Sequence, residues 1–208
     1  MTQATYVRTD FLPLDQLTPF EGNAKVGNVP AILSSLRRNG QYRSLIIRDE
    51  GDGRLVILAG NHTAKALASH GEGPCDYRPK VGGVERPCGI CQNQPWQPGA
   101  RCEVITCDDD TARRINIADN RTADLGTYDQ DALAELLSYL DDDFEGTGYS
   151  DDEVTRLVHT DLPEGFEEYG EEIADKAGTT SREPATAFVH TCPNCGHEFQ
   201  TGATGTDA

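Results

Sequence analysis

The stretch that most constrains the fold is Leu55 to His70, read LVILAGNHTAKALASH. Leu55 to Ala59 is an unbroken apolar run of strand length. Ala64 to His70 has helical composition, with Ala64, Leu67 and Ala68 on one face and Gly71 as a stop. Between them lies only Gly60-Asn61-His62-Thr63. A strand that turns this abruptly into a helix leaves backbone N–H groups without acceptors at the helix start. With the positive end of the helix dipole they form an anion site. Asn61 is expected to cap the helix and Gly60 to permit close approach of a ligand. His62 would serve as phosphate donor or general acid/base, and Thr63 would offer a hydroxyl to a phosphate or to Mg²⁺.

The flanking sequence supplies the rest of a domain. Residues 11–20 read as a short extended start. Asn28 to Asn39 reads as a helix, with Val29, Ile32, Leu33 and Leu36 on one face, Asn28 as cap, Pro30 in the first turn and Gly40 as terminator. Ser44 to Arg48 and Arg54 to Ala59 predict a hairpin around Asp49-Glu50-Gly51-Asp52-Gly53. Residues 101–107 predict another strand, and Asp108-Asp109-Asp110 open a helix through Ala112 and Ile115. Asp129 is expected to cap a helix with Ala132, Leu133, Leu136, Leu137 and Leu140 on one face. Ser150 and Glu153 form a capping box ahead of Val154, Leu157 and Val158. The domain is expected to span 10–160. An acidic flexible linker (161–187), a Cys/His motif (188–200) and a Gly/Thr tail (201–208) follow.

Charge separates the two halves. The chain has 18 basic and 35 acidic side chains, net −17. Residues 1–70 carry 8 basic and 6 acidic groups, whereas residues 108–208 carry 6 and 25. DNA binding rests on phosphate neutralisation by Lys and Arg. Any DNA contact is therefore expected from the N-terminal half, and the acidic half would repel a duplex. No stretch has the length and apolarity of a membrane span. Met1 to Asp10 lacks a basic region followed by an apolar one, so no export leader and a cytoplasmic setting are expected.

Seven cysteines, four of them in two Cys-x-x-Cys pairs, favour metal ligation over disulfides in such a setting. Residues 72–100 are rich in Gly and Pro and show no periodicity; a bound metal would order so long a loop. Cys88 and Cys91 form a knuckle, which Cys75 and Cys102 are expected to complete as a four-thiolate zinc site. Cys192 and Cys195 make half of a zinc ribbon, whose remaining ligands would come from His190, His197, the insert or another chain. Two structural zinc ions per chain are expected. Cys107 is expected to be a buried strand residue.

Several motifs together resemble the ParB/sulfiredoxin superfamily, often labelled ParB-like nuclease domains. They are Asn23, the run Asn39-Gly40-Gln41-Tyr42-Arg43-Ser44-Leu45-Ile46-Ile47, Leu58 to Thr63, and Ala118-Asp119-Asn120-Arg121-Thr122-Ala123-Asp124-Leu125. The last, with Gly146-Thr147-Gly148-Tyr149, is similar to a subgroup from bacteriophages and actinobacterial mobile DNA. The resemblance covers about residues 10–160 without the insert. It implies an α+β fold with a small mixed sheet, carrying here a zinc-ordered insert and a C-terminal zinc knuckle.

Within that superfamily the Gly-led motif holds phosphates in CTP-binding partition clamps, ATP-using sulfiredoxins, nucleases and a kinase of free serine. Asn61 stands where sulfiredoxins carry their cysteine, which removes that nucleophile. Asn61-His62-Thr63 replaces the Glu-Arg-Arg of partition proteins, which removes two guanidiniums and a carboxylate. The implied function is a DNA-associated ParB-like protein binding a nucleoside triphosphate or nucleic-acid phosphate at Gly60, Asn61, His62 and Thr63. Arg121 would close over the phosphate with Asn120 beside it, and Gln41 and Arg43 would face the same pocket. Nuclease activity would use His62 and Asp119, the latter holding Mg²⁺. Two alternatives remain open: an adaptor recruiting a DNA-modifying or packaging partner through its zinc elements and acidic tail, or a phosphotransferase on the same fold.

Overall fold

The computed structural model describes residues 2–159, 188–191 and 198–201. The chain divides into two compact units, Met1–Thr160 and Asp161–Ala208. In the first, β1 (Thr5–Pro13) leads through a 3-10 turn to β2 (Leu17–Pro19) and α1 (Val29–Asn39). Then come β3 (Leu45–Asp49), β4 (Leu55–Ala59), α2 (Asn61–His70), a small ribbon of β5 (Lys80–Val81) and β6 (Val84–Glu85), and β7 (Gly99–Thr106). Three helices close the unit: α3 (Asp109–Leu125), α4 (Gln130–Ser138) and α5 (Asp151–His159). In the second unit β8 (Phe188–Thr191) pairs antiparallel with β9 (Glu198–Thr201). The cysteines of the expected C-terminal knuckle, Cys192 and Cys195, lie outside the described residues, as do His197 and the expected linker.

The main sheet is mixed, in the order β1-β7-β3-β4-β2. β3 pairs antiparallel with β4, as the hairpin signature predicts, and parallel with β7. Strand alternation sends Leu45, Ile47, Ile57, Ala100, Cys102 and Val104 to one face, where they pack with Leu36 of α1 and Leu67 of α2. Val56 and Leu58 point to the opposite face, against Ala112 and Ile115 of α3. The result is three layers, with α1 and α2 on one side of the sheet and α3 on the other.

The helix starts follow local chemistry. Asn28 Oδ1 accepts from Ala31 N–H at 3.1 Å, and Asp129 Oδ1 from Ala132 N–H at 3.1 Å. Ser150 N–H donates to Glu153 Oε2 at 2.9 Å, half of the expected capping box. Four expectations change. Asp108 caps α3 rather than belonging to it, and α3 runs on to Leu125. The face of α4 is only partly used: Leu137 is buried, whereas Leu136 is 65% exposed. The insert is not structureless, since it contains the β5–β6 ribbon. Cys107 follows β7 and is half-buried against the α3 side of the sheet. Among the described residues no helix is long and apolar enough to cross a membrane.

Candidate phosphate site and metal cluster

The bend after β4 opens into a cleft of about 230 Å³. Its floor is the Leu58–Thr63 turn. One wall is the loop before α1, with Asn23, Lys25 and Gly27, and the other is the face of α3 that carries Asn116, Asp119 and Asn120. Exposed Arg43 and Lys25 stand among the lining residues. Gly60, not Asn61, is the residue that caps α2. It has φ +91°, a left-handed conformation that favours glycine, and it makes no side-chain cap bond. The first intrahelical bond is Ala64 N–H to Gly60 O at 2.9 Å. Helix geometry therefore leaves the N–H groups of Asn61, His62 and Thr63 without intrahelical acceptors at the cleft floor.

The side chains expected to grip phosphate divide into two groups. Asn61 is buried, and its amide is committed: Oδ1 accepts from Phe20 N–H and Nδ2 donates to Ile57 O, each at 3.1 Å. Only its backbone is left for a ligand. His62 is the second residue of α2, and its Nε2 accepts from Gly27 N–H at 3.0 Å. Gly27 packs so closely on the ring that a Cβ there would fall 2.6 Å from Cγ of His62. Burial, with Lys65 and Lys25 nearby, lowers the imidazole pKa from its ordinary value. His62 thus braces the 23–28 loop through the lone pair of Nε2.

Gln41 also has a bracing role. It donates to Arg101 O at 3.0 Å and accepts from Arg101 N–H at 2.8 Å, stitching the loop after α1 to β7. Arg43 reaches the cleft and pairs with Asp119, and Lys25 Nζ lies 2.6 Å from Asp124 Oδ1. Asp119, Asn120 and Arg121 lie inside α3, not after a helix. Helical phase turns Asp119 and Asn120 toward the cleft with Asn116, three and four residues earlier, and leaves Arg121 exposed outside it.

Lys25 and Asn116 had no motif to mark them. Lys25 sits in an irregular loop, and Asn116 is legible only as a polar residue on the inward face of a helix. Asn116 is buried and donates to Leu58 O at 2.9 Å. Asn23 is one of the residues singled out in the sequence, and its Oδ1 is buried without a hydrogen-bond partner.

No protein-family model matches the sequence, and neither does any curated protein sequence. Solved structures do match. One is the C-terminally truncated chromosome-partitioning protein ParB from Caulobacter crescentus complexed with CTP-gamma-S. Its TM-score is 0.53 at 16% identity, with 82% of this chain and 90% of that chain covered. The chain has a ParB-like fold. The truncated Caulobacter crescentus ParB complexed to the centromeric parS site matches with a TM-score of 0.37 at 15% identity, over 78% of each chain. A Pnob8-like ParB-N domain matches with a TM-score of 0.39 at 13% identity, over 96% of this chain and 59% of that one.

A second cluster of chemistry lies in the insert of this ParB-like domain. His70, Cys75, Cys88 and Cys91 each bring one ligand atom within 4.8 Å of the others, a grouping that could hold a metal ion. His70 Nε2 lies 3.5 Å from Cys88 Sγ, and the sulfurs of Cys75 and Cys91 are 3.5 Å apart. The three cysteines are free thiols, and burial pushes Cys75 up to about 11.

Cys102 is not part of the group, contrary to the expected four-thiolate set. It shares the inward face of β7 with Ala100 and Val104, is fully buried, and its Sγ donates to Ala100 O at 3.3 Å. Its place is taken by His70, the last residue of α2. The position of His70, immediately ahead of the Cys-bearing insert, was the available signal.

The acceptor role of His62 Nε2 has a pH consequence. Protonating Nε2 would replace the acceptor that Gly27 N–H requires. The folded-state pKa is depressed below the unfolded value of about 6.5, so the folded form disfavours the proton. The contribution of His62 is complete above about pH 6.5 and is lost as pH falls toward the lower folded value. Thermal melts from pH 8 to pH 5 are expected to show a steeper loss in the wild-type chain than in His62→Gln. Parallel curves would contradict the assignment.

Proposed function

We propose that the cleft binds the phosphate groups of a nucleotide, and that the protein is DNA-associated through its N-terminal half. The observation carrying this reading is the coincidence of three helix-start N–H groups, an accessible Arg43 and Lys25, and the unpartnered Asn23 oxygen in one cleft. Phosphate would take the amides and the cations, and the Asn23 oxygen would accept from a ligand hydroxyl or amino group. The nucleotide named for the Caulobacter crescentus ParB structure supports the choice of ligand class.

The two cations are paired with Asp119 and Asp124. Exposed pairs of this type are worth at most about 1 kcal/mol, so a phosphate can displace either carboxylate at small cost. Asp119 would then face the incoming phosphate as a like charge. A Mg²⁺ ion between them would turn that repulsion into a bridge. Binding is therefore expected to require Mg²⁺, and Asp119→Asn to relax the requirement.

The test is a thermal-shift screen of nucleoside triphosphates with and without Mg²⁺, since a ligand of the folded state raises its stability. Arg43→Ala is expected to weaken the binding nucleotide about 10- to 100-fold, the worth of a charge-assisted hydrogen bond. Lys25→Ala is expected to do less. No shift with any nucleotide would sink the reading.

Nuclease activity, or phosphoryl transfer to a small molecule, would use the same cleft and Mg²⁺ held by Asp119. Mg²⁺-dependent nicking of supercoiled DNA that is lost in Asp119→Asn is the outcome expected of a nuclease. A phage or mobile-element origin and a second zinc ion at Cys192 and Cys195 belong to the same reading. The adaptor alternative is favoured by a different observation: Leu125 at the end of α3, Tyr128 in the connection, Leu136 in α4 and Tyr139 just after it are each at least 63% exposed. Retention of a protein partner by a chain that binds neither nucleotide nor DNA would select it.

A further inference from the structure

We propose that His70, Cys75, Cys88 and Cys91 form a structural zinc site that clamps the insert onto the end of α2. The donor set comes first. Three thiolates and one imidazole are soft and borderline ligands that select zinc over magnesium or calcium. Their spacing fits the ion. Zn–S and Zn–N bonds of ordinary length in a tetrahedron put N and S about 3.6 Å apart and two sulfurs about 3.8 Å apart. The corresponding distances here are 3.5 Å for His70 Nε2 to Cys88 Sγ and 3.5 Å for Cys75 Sγ to Cys91 Sγ.

The surroundings set the imidazole for ligation. His70 Nδ1 is 2.9 Å from the carbonyl of Gly71, a contact that only an N–H can satisfy. The tautomer with hydrogen on Nδ1 leaves the Nε2 lone pair facing the sulfurs, the arrangement that second-shell bonds impose on metal-binding histidines. The Trp96 ring stands edge-on to the imidazole, with centroids 5.4 Å apart, and further limits its rotation.

The thiol-bearing loop is shaped as tightly. Asn93 Oδ1 accepts from Cys88 N–H at 3.2 Å, and its Nδ2 donates to Cys75 O at 2.9 Å, so one side chain ties both arms of the loop together. Gly89, inside the Cys88–Cys91 turn, lies so close to the C-terminus of α1 that a Cβ would fall 2.4 Å from Gly40 N. On binding, the three thiols would lose their protons to solvent and the ion would join the end of α2 directly to the insert. The site thus orders residues 72–98 and fixes them across the far ends of α1 and α2, the two helices whose starts border the phosphate cleft.

The test uses the full chain carrying Cys192→Ser and Cys195→Ser, so that the C-terminal pair contributes no metal. Elemental analysis is expected to find about one zinc per chain. Cys102→Ser is expected to retain it, while Cys88→Ser and His70→Ala lose most of it and melt at lower temperature. His70→Cys is expected to keep the zinc, and its cobalt-substituted form to show stronger thiolate-to-metal charge transfer than the parent. That variant guards against loss by misfolding alone. Absence of zinc from the parent, iron in its place, or zinc that survives His70→Ala but not Cys102→Ser would each overturn the proposal.

Discussion

Replacing Gly60 with alanine is expected to destabilise the folded unit by about 2–4 kcal/mol and to abolish phosphate binding. Two costs combine. A residue with a Cβ is strained at φ +91°, by about 1–3 kcal/mol. The new Cβ would also meet Leu45 Cδ2 at 2.5 Å, and because Leu45 is itself 1% exposed its side chain must repack within the core. Pushing Leu45 aside disturbs β3, the central strand between β4 and β7. In a unit of this size the melting temperature should fall by roughly 5–15 °C. A fall of a degree or less, with nucleotide binding intact, would show that the turn relaxes into an ordinary conformation and that its left-handed geometry is not needed.

Asn61→Ala is expected to cost about 2–4 kcal/mol as well, for a different reason. The buried amide satisfies Phe20 N–H and Ile57 O. Alanine leaves both backbone groups without this partner, at about 1–3 kcal/mol each. It also frees the segment after β2 from the start of α2, so the Asn23–Gly27 wall of the cleft loses its anchor. Chemical denaturation should register a lower midpoint with an unchanged slope. The opposite pattern, an unchanged midpoint with lost nucleotide affinity, would identify Asn61 as a side-chain ligand after all. Asn61→Asp keeps an acceptor for Phe20 N–H, but it removes the donor to Ile57 O and buries a charge. It is expected to be no better tolerated than alanine.

Much of the local architecture was readable residue by residue. Asn28, Asp129 and the Ser150–Glu153 pair mark helix starts because a short polar side chain at that point satisfies an N–H the helix cannot. The hairpin of β3 and β4 follows from two β-rich runs around a glycine-bearing turn. Gly60 was legible as the hinge between strand and helix, although the cap passed to the glycine and not to Asn61. The side chains expected to face a ligand that instead meet backbone share one cause. Gln41, Asn61 and His62 are polar residues near the cleft, and a polar side chain looks the same in sequence whether it meets a ligand or a backbone group. Their partners, Arg101, Phe20, Ile57 and Gly27, are 60, 41, 4 and 35 residues away, and three of the four are beyond the reach of any local pattern.

The metal cluster divides in the same way. Cys88 and Cys91 are brought together by their spacing alone, because a turn of four residues places i and i+3 on one side. Which residues complete the set depends on packing. The two-residue period of β7, held in register by β3 and β1, turns Cys102 into the core, while α2 delivers His70 to the insert. Sequence alone determined the strand–glycine–helix bend, the caps and the cysteine knuckle, since each depends on neighbours within a few residues. Tertiary structure decided which polar side chains remain free to bind and which complete the backbone's hydrogen bonding, because that choice is made by segments meeting across the sheet.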